Sequence, residues 1–113
     1  MDDAGVTHIE LAEVPEALGN GVVLLDVRED DEWQRGHADG AQHIPIGEVP
    51  ARLDEIDLDA TLYVICHAGG RSLKVSKYLA QNGYEPINVV GGMLAWVAAG
   101  RAVVTDGGDP GTV

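Results

Sequence analysis

The chain has 113 residues, of which 45% are apolar, and a formal net charge of −12 at pH 7. This length predicts one domain with its own hydrophobic core, and the acidity argues against nucleic acid and anionic membranes as general partners. The single cysteine excludes an internal disulfide. Because the chain opens on acidic residues and has no apolar run of bilayer length, we expect no signal peptide and a protein of the cytoplasm.

In the first half of the chain, short apolar runs alternate with segments whose apolar residues recur at helical spacing. The run Val22–Val27 is almost continuously apolar, which is typical of a strand buried on both faces of a parallel sheet. Around this run the pattern predicts a strand at Val6–Ile9, a helix at Leu11–Leu18 with Pro15 tolerated in its first turn, a short helix at Glu29–Arg35, a strand at Ala41–Ile44 and a helical segment at Val49–Ile56.

The second half repeats this alternation more clearly. Thr61–Ile65 is the second strong strand, and the spacing of apolar residues predicts a helix at Ser72–Gln81. A strand at Ile87–Val90 and a last helix after Gly91-Gly92 follow. The alternation predicts an α/β fold with a mostly parallel central sheet flanked by helices on both faces. We expect one domain over residues 6–104, with flexible termini at 1–5 and 105–113.

Cys66 stands at the end of the strand Thr61–Ile65, where a glycine-rich loop leads into a helix. Ligands of parallel sheets bind at the carboxyl ends of strands, and loop amides and a helix N-terminus lower the pKa of a thiol there. A buried structural thiol is the alternative, because free cysteine often serves as a small core residue. The position beside Gly69-Gly70-Arg71 favours a nucleophile.

The surroundings of Cys66 in the sequence are basic. No Asp or Glu occurs between Ala60 and Tyr84, whereas this window holds three of the seven basic residues, Arg71, Lys74 and Lys77. Taken singly, the two lysines are ordinary solvated residues of a helix. The lack of acids near the thiol predicts an anionic substrate.

Four motifs follow one another along the chain. They are Asp26-Val27-Arg28-Glu29, then Glu32-Trp33 with Gly36-His37, Gly40-Ala41 and His43-Ile44-Pro45, then Cys66-His67-Ala68-Gly69-Gly70-Arg71-Ser72, and finally Gly91-Gly92-Met93-Leu94-Ala95-Trp96. In this order they resemble the single-domain rhodanese (thiosulfate sulfurtransferase-like) family, over roughly residues 6–100. The resemblance implies a rhodanese-like α/β domain and a sulfurtransferase.

The resemblance also implies a mechanism and a site. Cys66 as a thiolate takes the outer sulfur of a donor such as thiosulfate, and its persulfide is discharged to cyanide, a small thiol or a protein thiol, including a thioredoxin-like partner. The implied substrate-binding residues are His67, Ala68, Gly69, Gly70, Arg71 and Ser72, together with Arg28. We expect a monomer without a cofactor or a metal ion.

Several of these residues have a second interpretation. His67 departs from the family pattern, in which a basic residue, commonly arginine, often follows the cysteine, and a neutral imidazole would bind an anion less well. Asp26 and Arg28 are alternatively a structural pair at the end of a strand. His37 and His43 lack metal-ligand spacing and are expected to be structural hydrogen-bonding residues.

Two other functions compete with sulfur transfer. Cysteine phosphatases and arsenate reductases have a similar loop with C-x5-R spacing, whereas Cys66 and Arg71 have C-x4-R spacing. The smaller ring is better matched to one sulfur atom than to a phosphoryl group. The other alternative is a non-enzymatic sulfur carrier or regulatory module that passes its persulfide to one protein partner, and the sequence does not separate this from an enzyme.

Overall fold

The computed structural model describes residues 5–113, in which parallel strands form a five-stranded sheet of order β1-β5-β4-β2-β3. The strands are β1 (Thr7–Glu10), β2 (Val22–Asp26), β3 (Gln42–His43), β4 (Thr61–Ile65) and β5 (Pro86–Val90). The predicted α/β class is confirmed, and each predicted strand has a counterpart in the sheet.

The helices are α1 (Asp30–Arg35), α2 (Gly70–Gln81) and α3 (Gly92–Ala98). Three further segments form 3-10 helix, at Leu11–Glu13, Ile46–Glu48 and Pro50–Glu55. None of the helices in residues 5–113 is long and apolar enough to cross a membrane.

The prediction of a helix at Leu11–Leu18 is wrong. Only Leu11–Glu13 is helical, and Val14 is already extended, with φ −79° and ψ 131°. Pro15 is the physical reason, because a proline restricts the preceding residue to extended backbone and has no N–H to donate. Pro15 therefore ends the helical turn instead of being accommodated within it.

The sheet is covered on both faces, as predicted, and neighbouring strand residues point into separate cores. Leu25 and Val64 belong to the core that includes Val75 and Leu79 of α2. Leu24 and Ile65 belong to the opposite core, which includes Met93 and Trp96 of α3. The four strand residues are fully buried. Burial on both faces explains why β2 and β4 are continuously apolar in the sequence.

The segment 105–113, predicted to be a loose polar tail, folds back against the end of α1. The amide of Thr112 donates to the carbonyl of Arg35 at 2.9 Å, and the amide of Gly111 donates to Val103 at 2.8 Å. Asp106 accepts hydrogen bonds from the side chains of Trp33 and His37. Two of these four contacts join backbone groups, for which the polar composition of the segment carries no signal. Residues 1–4 of the predicted flexible N-terminus lie outside the described residues.

Candidate active site

Cys66 follows β4 directly, and its sulfur lies inside the loop that leads to α2. The residue is 1% exposed. The backbone N–H of Gly69 donates to Sγ at 3.0 Å, and Ser72 Oγ lies 3.4 Å from the same atom. The loop therefore presents a backbone donor and a hydroxyl to the sulfur, as the position at a strand end predicted.

The curl of the loop depends on Gly69. This residue has φ +118° and forms the N-cap of α2, which begins at Gly70, two residues before the predicted start at Ser72. Left-handed backbone at this position favours glycine, because a side chain would be strained. The N–H that binds the sulfur thus belongs to the capping residue of a twelve-residue helix, whose positive end favours an anion.

The start of α3 holds the other side of the loop. The N–H of Met93 donates to the carbonyl of Cys66 at 2.7 Å, and the N–H of Leu94 donates to the carbonyl of His67 at 3.0 Å. This approach requires Gly92, which has φ +59° and on which a Cβ would collide with both carbonyl oxygens. Gly92 therefore allows the start of α3 to approach the backbone of the loop.

Arg71 is held by Glu32 of α1 in a bidentate pair. The distances are 2.6 Å from Nη1 to Oε1 and 2.9 Å from Nη2 to Oε2, and both side chains are half-buried. The hydrogen bonds from Arg71 lower the pKa of the Glu32 carboxyl to about 2. The same hydrogen bonds raise the pKa of Arg71, and nearby charge on Cys66 adds to that effect.

This pair corrects one inference from the sequence. The window from Ala60 to Tyr84 holds no acid, but the fold places the carboxylate of Glu32 against Arg71. The pair joins residues 39 positions apart. The basic surroundings predicted for Cys66 are therefore partly neutralised by a residue from another motif.

Arg28 lies in a structural ion pair and not at the loop. It is fully buried and donates to both carboxylate oxygens of Asp26, at 2.8–3.0 Å, and to the carbonyl of Gly36 at 2.8 Å. A buried guanidinium is stable only when its donors are satisfied, and here they are satisfied by the protein. The predicted contact of Arg28 with substrate does not fit this geometry, whereas the alternative of a structural pair does.

The rest of the loop faces solvent to different degrees. Ala68 and Gly70 are exposed, and His67 is half-buried. Within residues 5–113 the imidazole of His67 makes no hydrogen bond, so its predicted role in substrate binding remains a prediction. Ser72, by contrast, is fully buried beside the sulfur.

The two histidines of the second motif both stack on the ring of Trp33. His37 stacks on Trp33 with ring centroids 3.6 Å apart, and His43 stacks on it at 4.6 Å. His37 Nε2 is 2.8 Å from Asp106, and His43 Nε2 is 2.8 Å from the carbonyl of Arg28. Both histidines have the structural contacts expected of them. The described part of the chain contains no group of three or more His, Cys, Asp or Glu residues that could hold a metal ion.

Asn88 is the site residue that the sequence interpretation missed. It lies on β5 with 4% exposure, and its Oδ1 is 2.7 Å from Ser72 Oγ. The signal that could have identified it is a single amide in the apolar strand Pro86–Val90. A buried polar side chain in such a strand needs a partner, and Ser72 provides it.

Comparison with known proteins gives a consistent picture. A family model described as the rhodanese-like domain matches residues 10–99. YtwF of Bacillus subtilis, whose name assigns it provisionally to the sulfurtransferases, is 44% identical over 73 residues, which cover 65% of this chain and 71% of that protein. The thiosulfate sulfurtransferase GlpE of Pseudoalteromonas translucida is 30% identical over 94 residues, which cover 81% and 90% of the two chains.

A solved structure is similar over most of the chain. The rhodanese-related protein of Thermoplasma volcanium superposes with a TM-score of 0.81 at 31% identity, covering 88% of this chain and 99% of that chain. The residues matched by the family model, 10–99, include the Cys66 loop and the start of α3 that holds it.

Proposed function

Because this chain belongs to the rhodanese-like domain family, we propose that it is a sulfurtransferase that carries a sulfane sulfur on Cys66. The donor is a small anion such as thiosulfate, and the acceptor is a thiophilic nucleophile such as cyanide, a small thiol or a protein thiol. The observation that supports this most directly is the position of Cys66 Sγ, 3.0 Å from the N–H of the α2 capping residue Gly69.

The first step charges the cysteine. The Cys66 thiolate attacks the outer sulfur of thiosulfate and forms a new S–S bond, and the S–S bond within thiosulfate breaks with its electron pair leaving on sulfite. The products are a Cys66 persulfide anion and sulfite, so sulfur atoms and charge are conserved. The thiolate, the donor and the persulfide are all anions, and a fixed N–H at the sulfur stabilises negative charge without reorganising.

The second step discharges the persulfide. An acceptor anion attacks the outer sulfur, the bond from that sulfur to Sγ breaks, and the electron pair returns to Cys66 as a thiolate. The chain has no second cysteine that could do this internally. An external acceptor is therefore required for every turnover.

Arg71 is proposed to attract the anionic donor to the rim of the loop. Its permanent charge sits in the loop, and its guanidinium is oriented by the carboxylate of Glu32. The short C-x4-R spacing favours a single sulfur over a phosphoryl group, which supports sulfur transfer over the phosphatase alternative.

The test is intact-mass measurement after incubation with thiosulfate. We expect the protein to gain the mass of one sulfur atom and the Cys66→Ser variant to gain nothing, because an alcohol of ordinary pKa is not a comparable nucleophile. Transfer from the charged protein to cyanide or a small thiol indicates an enzyme. Transfer confined to one protein acceptor indicates the carrier alternative, and sulfur uptake by the serine variant would exclude Cys66 as the nucleophile.

A further inference from the structure

Two buried polar side chains, Ser72 and Asn88, continue a chain of hydrogen-bond contacts from the sulfur of Cys66. Ser72 Oγ is 3.4 Å from Sγ and 2.7 Å from Asn88 Oδ1. Ser72 is fully buried and Asn88 is 4% exposed. The mechanism above uses neither the amide of Asn88 nor its contact with Ser72, although buried polar groups in a core need a physical reason.

The Ser72 hydroxyl has one proton and more than one acceptor for it. A hydroxyl donates one hydrogen bond, whereas the side-chain oxygen of Asn88 and the carbonyl of Gly69, 3.1 Å away, can only accept. The Gly69 carbonyl already receives the N–H of Leu73 in the first turn of α2. Asn88 Oδ1 is thus both the nearest acceptor and the one without a helical partner.

The preference for Asn88 depends on the protonation state of Cys66. A thiol S–H can donate to Ser72 Oγ, which leaves the hydroxyl proton for Asn88. A thiolate can only accept, so it needs that same proton. Asn88 and the thiolate therefore compete for one hydrogen bond.

The orientation of the Asn88 amide is set by the neighbouring strand. Asn88 of β5 lies opposite His8 of β1, and its Nδ2 is 3.3 Å from His8 Nδ1. With the amide nitrogen facing His8, the amide oxygen faces Ser72. The competing acceptor therefore faces Ser72 from β5, and the amide nitrogen contacts β1.

We propose that Asn88 is a positioning residue for Cys66 that acts through Ser72. When Cys66 is a thiol, the amide oxygen of Asn88 accepts the hydroxyl proton of Ser72. When Cys66 is a thiolate, Asn88 competes with the sulfur for that proton, so it limits the fraction of Cys66 that is ionised. The purpose of this limit rests on the proposed sulfur transfer, but the ionisation itself is measured without any sulfur donor.

The test compares single and double variants by the pH dependence of Cys66 alkylation. The single cysteine makes the signal specific to one group. In Ser72→Ala the thiolate loses a donor, so we expect the midpoint of the alkylation rate against pH to move to higher pH by about one unit. A shift of this size corresponds to the loss of one hydrogen bond to a charged group. In Asn88→Val the hydroxyl is released to the sulfur, and we expect the midpoint to move to lower pH.

The double variant Ser72→Ala/Asn88→Val separates a positioning role from a structural one. Without the hydroxyl there is no proton to release, so the double variant should titrate like Ser72→Ala alone. Asn82→Ala, at the far end of α2, is the matched control and should leave the midpoint unchanged. A purely structural role would lower thermal stability without moving the two midpoints in opposite directions.

Three results would overturn the proposal. They are a midpoint that moves to higher pH in Asn88→Val, an effect of Asn88→Val that persists in the double variant, and loss of the folded state in both Asn88→Val and the smaller Asn88→Ala. Failure of the wild-type protein to take up sulfur from thiosulfate, with the opposite midpoint shifts intact, would instead contradict the proposed function and leave the role of Asn88 standing.

Discussion

The chemistry of Cys66 depends on a small number of neighbouring atoms. The N–H of Gly69 lies 3.0 Å from Sγ, and the hydroxyl of Ser72 lies 3.4 Å from it. A donor fixed by the backbone costs little to reorganise when the sulfur gains charge, whereas a hydroxyl must turn. The two groups therefore differ in kind, because the hydroxyl accepts from the thiol and its orientation depends on the residues that surround it.

Substitutions of Arg71 and Glu32 should have coupled effects on the reaction with thiosulfate. We expect Arg71→Ala to lower kcat/KM for thiosulfate by an amount equivalent to roughly 1–3 kcal/mol, because it removes a charged contact and leaves the Glu32 carboxylate unpaired beside the loop. The double variant Arg71→Ala/Glu32→Gln should recover part of this loss. The measurement is steady-state kinetics with thiosulfate as the varied substrate.

Arg52→Ala is the control for that comparison. Arg52 is also paired with carboxylates, Glu48 and Glu55, but it lies on the segment Pro50–Glu55 and outside the loop. It should leave kcat/KM unchanged. If the double variant is no faster than Arg71→Ala, the unpaired carboxylate is not the cause of the loss.

At the scale of elements, the loop is held between two helix N-termini. Gly69 caps α2 on one side, and the first amides of α3 bind the carbonyls of Cys66 and His67 on the other. With these carbonyls engaged by α3, the N–H of Gly69 is left to the sulfur. The two elements together fix the direction of the backbone around the thiol.

Gly92→Ala tests this arrangement. Its φ of +59° strains any side chain, and the new Cβ would collide with the carbonyls of Cys66 and His67. We expect a loss of stability of about 1–3 kcal/mol and slower sulfur uptake, measured by thermal unfolding and by intact mass over time.

Gly47→Ala is the matched control, because a Cβ at Gly47 meets no atom within 4 Å. It should change neither quantity. Normal sulfur uptake by Gly92→Ala would show that the loop does not need the close approach of α3.

The elements also show what the sequence could and could not predict. The strand predicted at Val22–Val27, which ends at Asp26 in the structure, and the strand predicted at Thr61–Ile65 are confirmed, because nearly continuous apolar runs are typical of strands buried on both faces. The prediction of a helix at Leu11–Leu18 is wrong, because it relied on the helical spacing of apolar residues and gave too little weight to the effect of Pro15 on Val14.

The candidate site divides in the same way. Cys66 and its loop are adjacent in the chain, so their arrangement could be predicted from local order. The pairing of Glu32 with Arg71 and of Asn88 with Ser72 joins residues 39 and 16 positions apart. Such pairs depend on how strands are ordered in the sheet, which the sequence pattern alone does not specify.

At the scale of the whole molecule, the region around Cys66 differs in charge from the rest of the acidic chain. The chain carries a net charge of −12, yet its nucleophile lies in a segment without acids, where Arg71 is paired with Glu32 from another part of the chain. The net negative charge of the protein repels anions in general, whereas the basic residues near Cys66 attract them locally. Together these effects favour small anions that can reach the loop. Because screening acts over roughly 10 Å at ordinary ionic strength, salt should weaken both effects.

The most direct test of sulfur transfer through Cys66 is the lifetime of the charged protein. After thiosulfate is removed, the lone thiol cannot resolve its own persulfide, so we expect the mass of the extra sulfur to persist. Addition of cyanide, a small thiol or a thioredoxin-like protein should remove it and return the unmodified mass, with the sulfur recovered on the acceptor. Equal rates of loss with and without an acceptor, and no sulfur on the acceptor, would contradict a transferase.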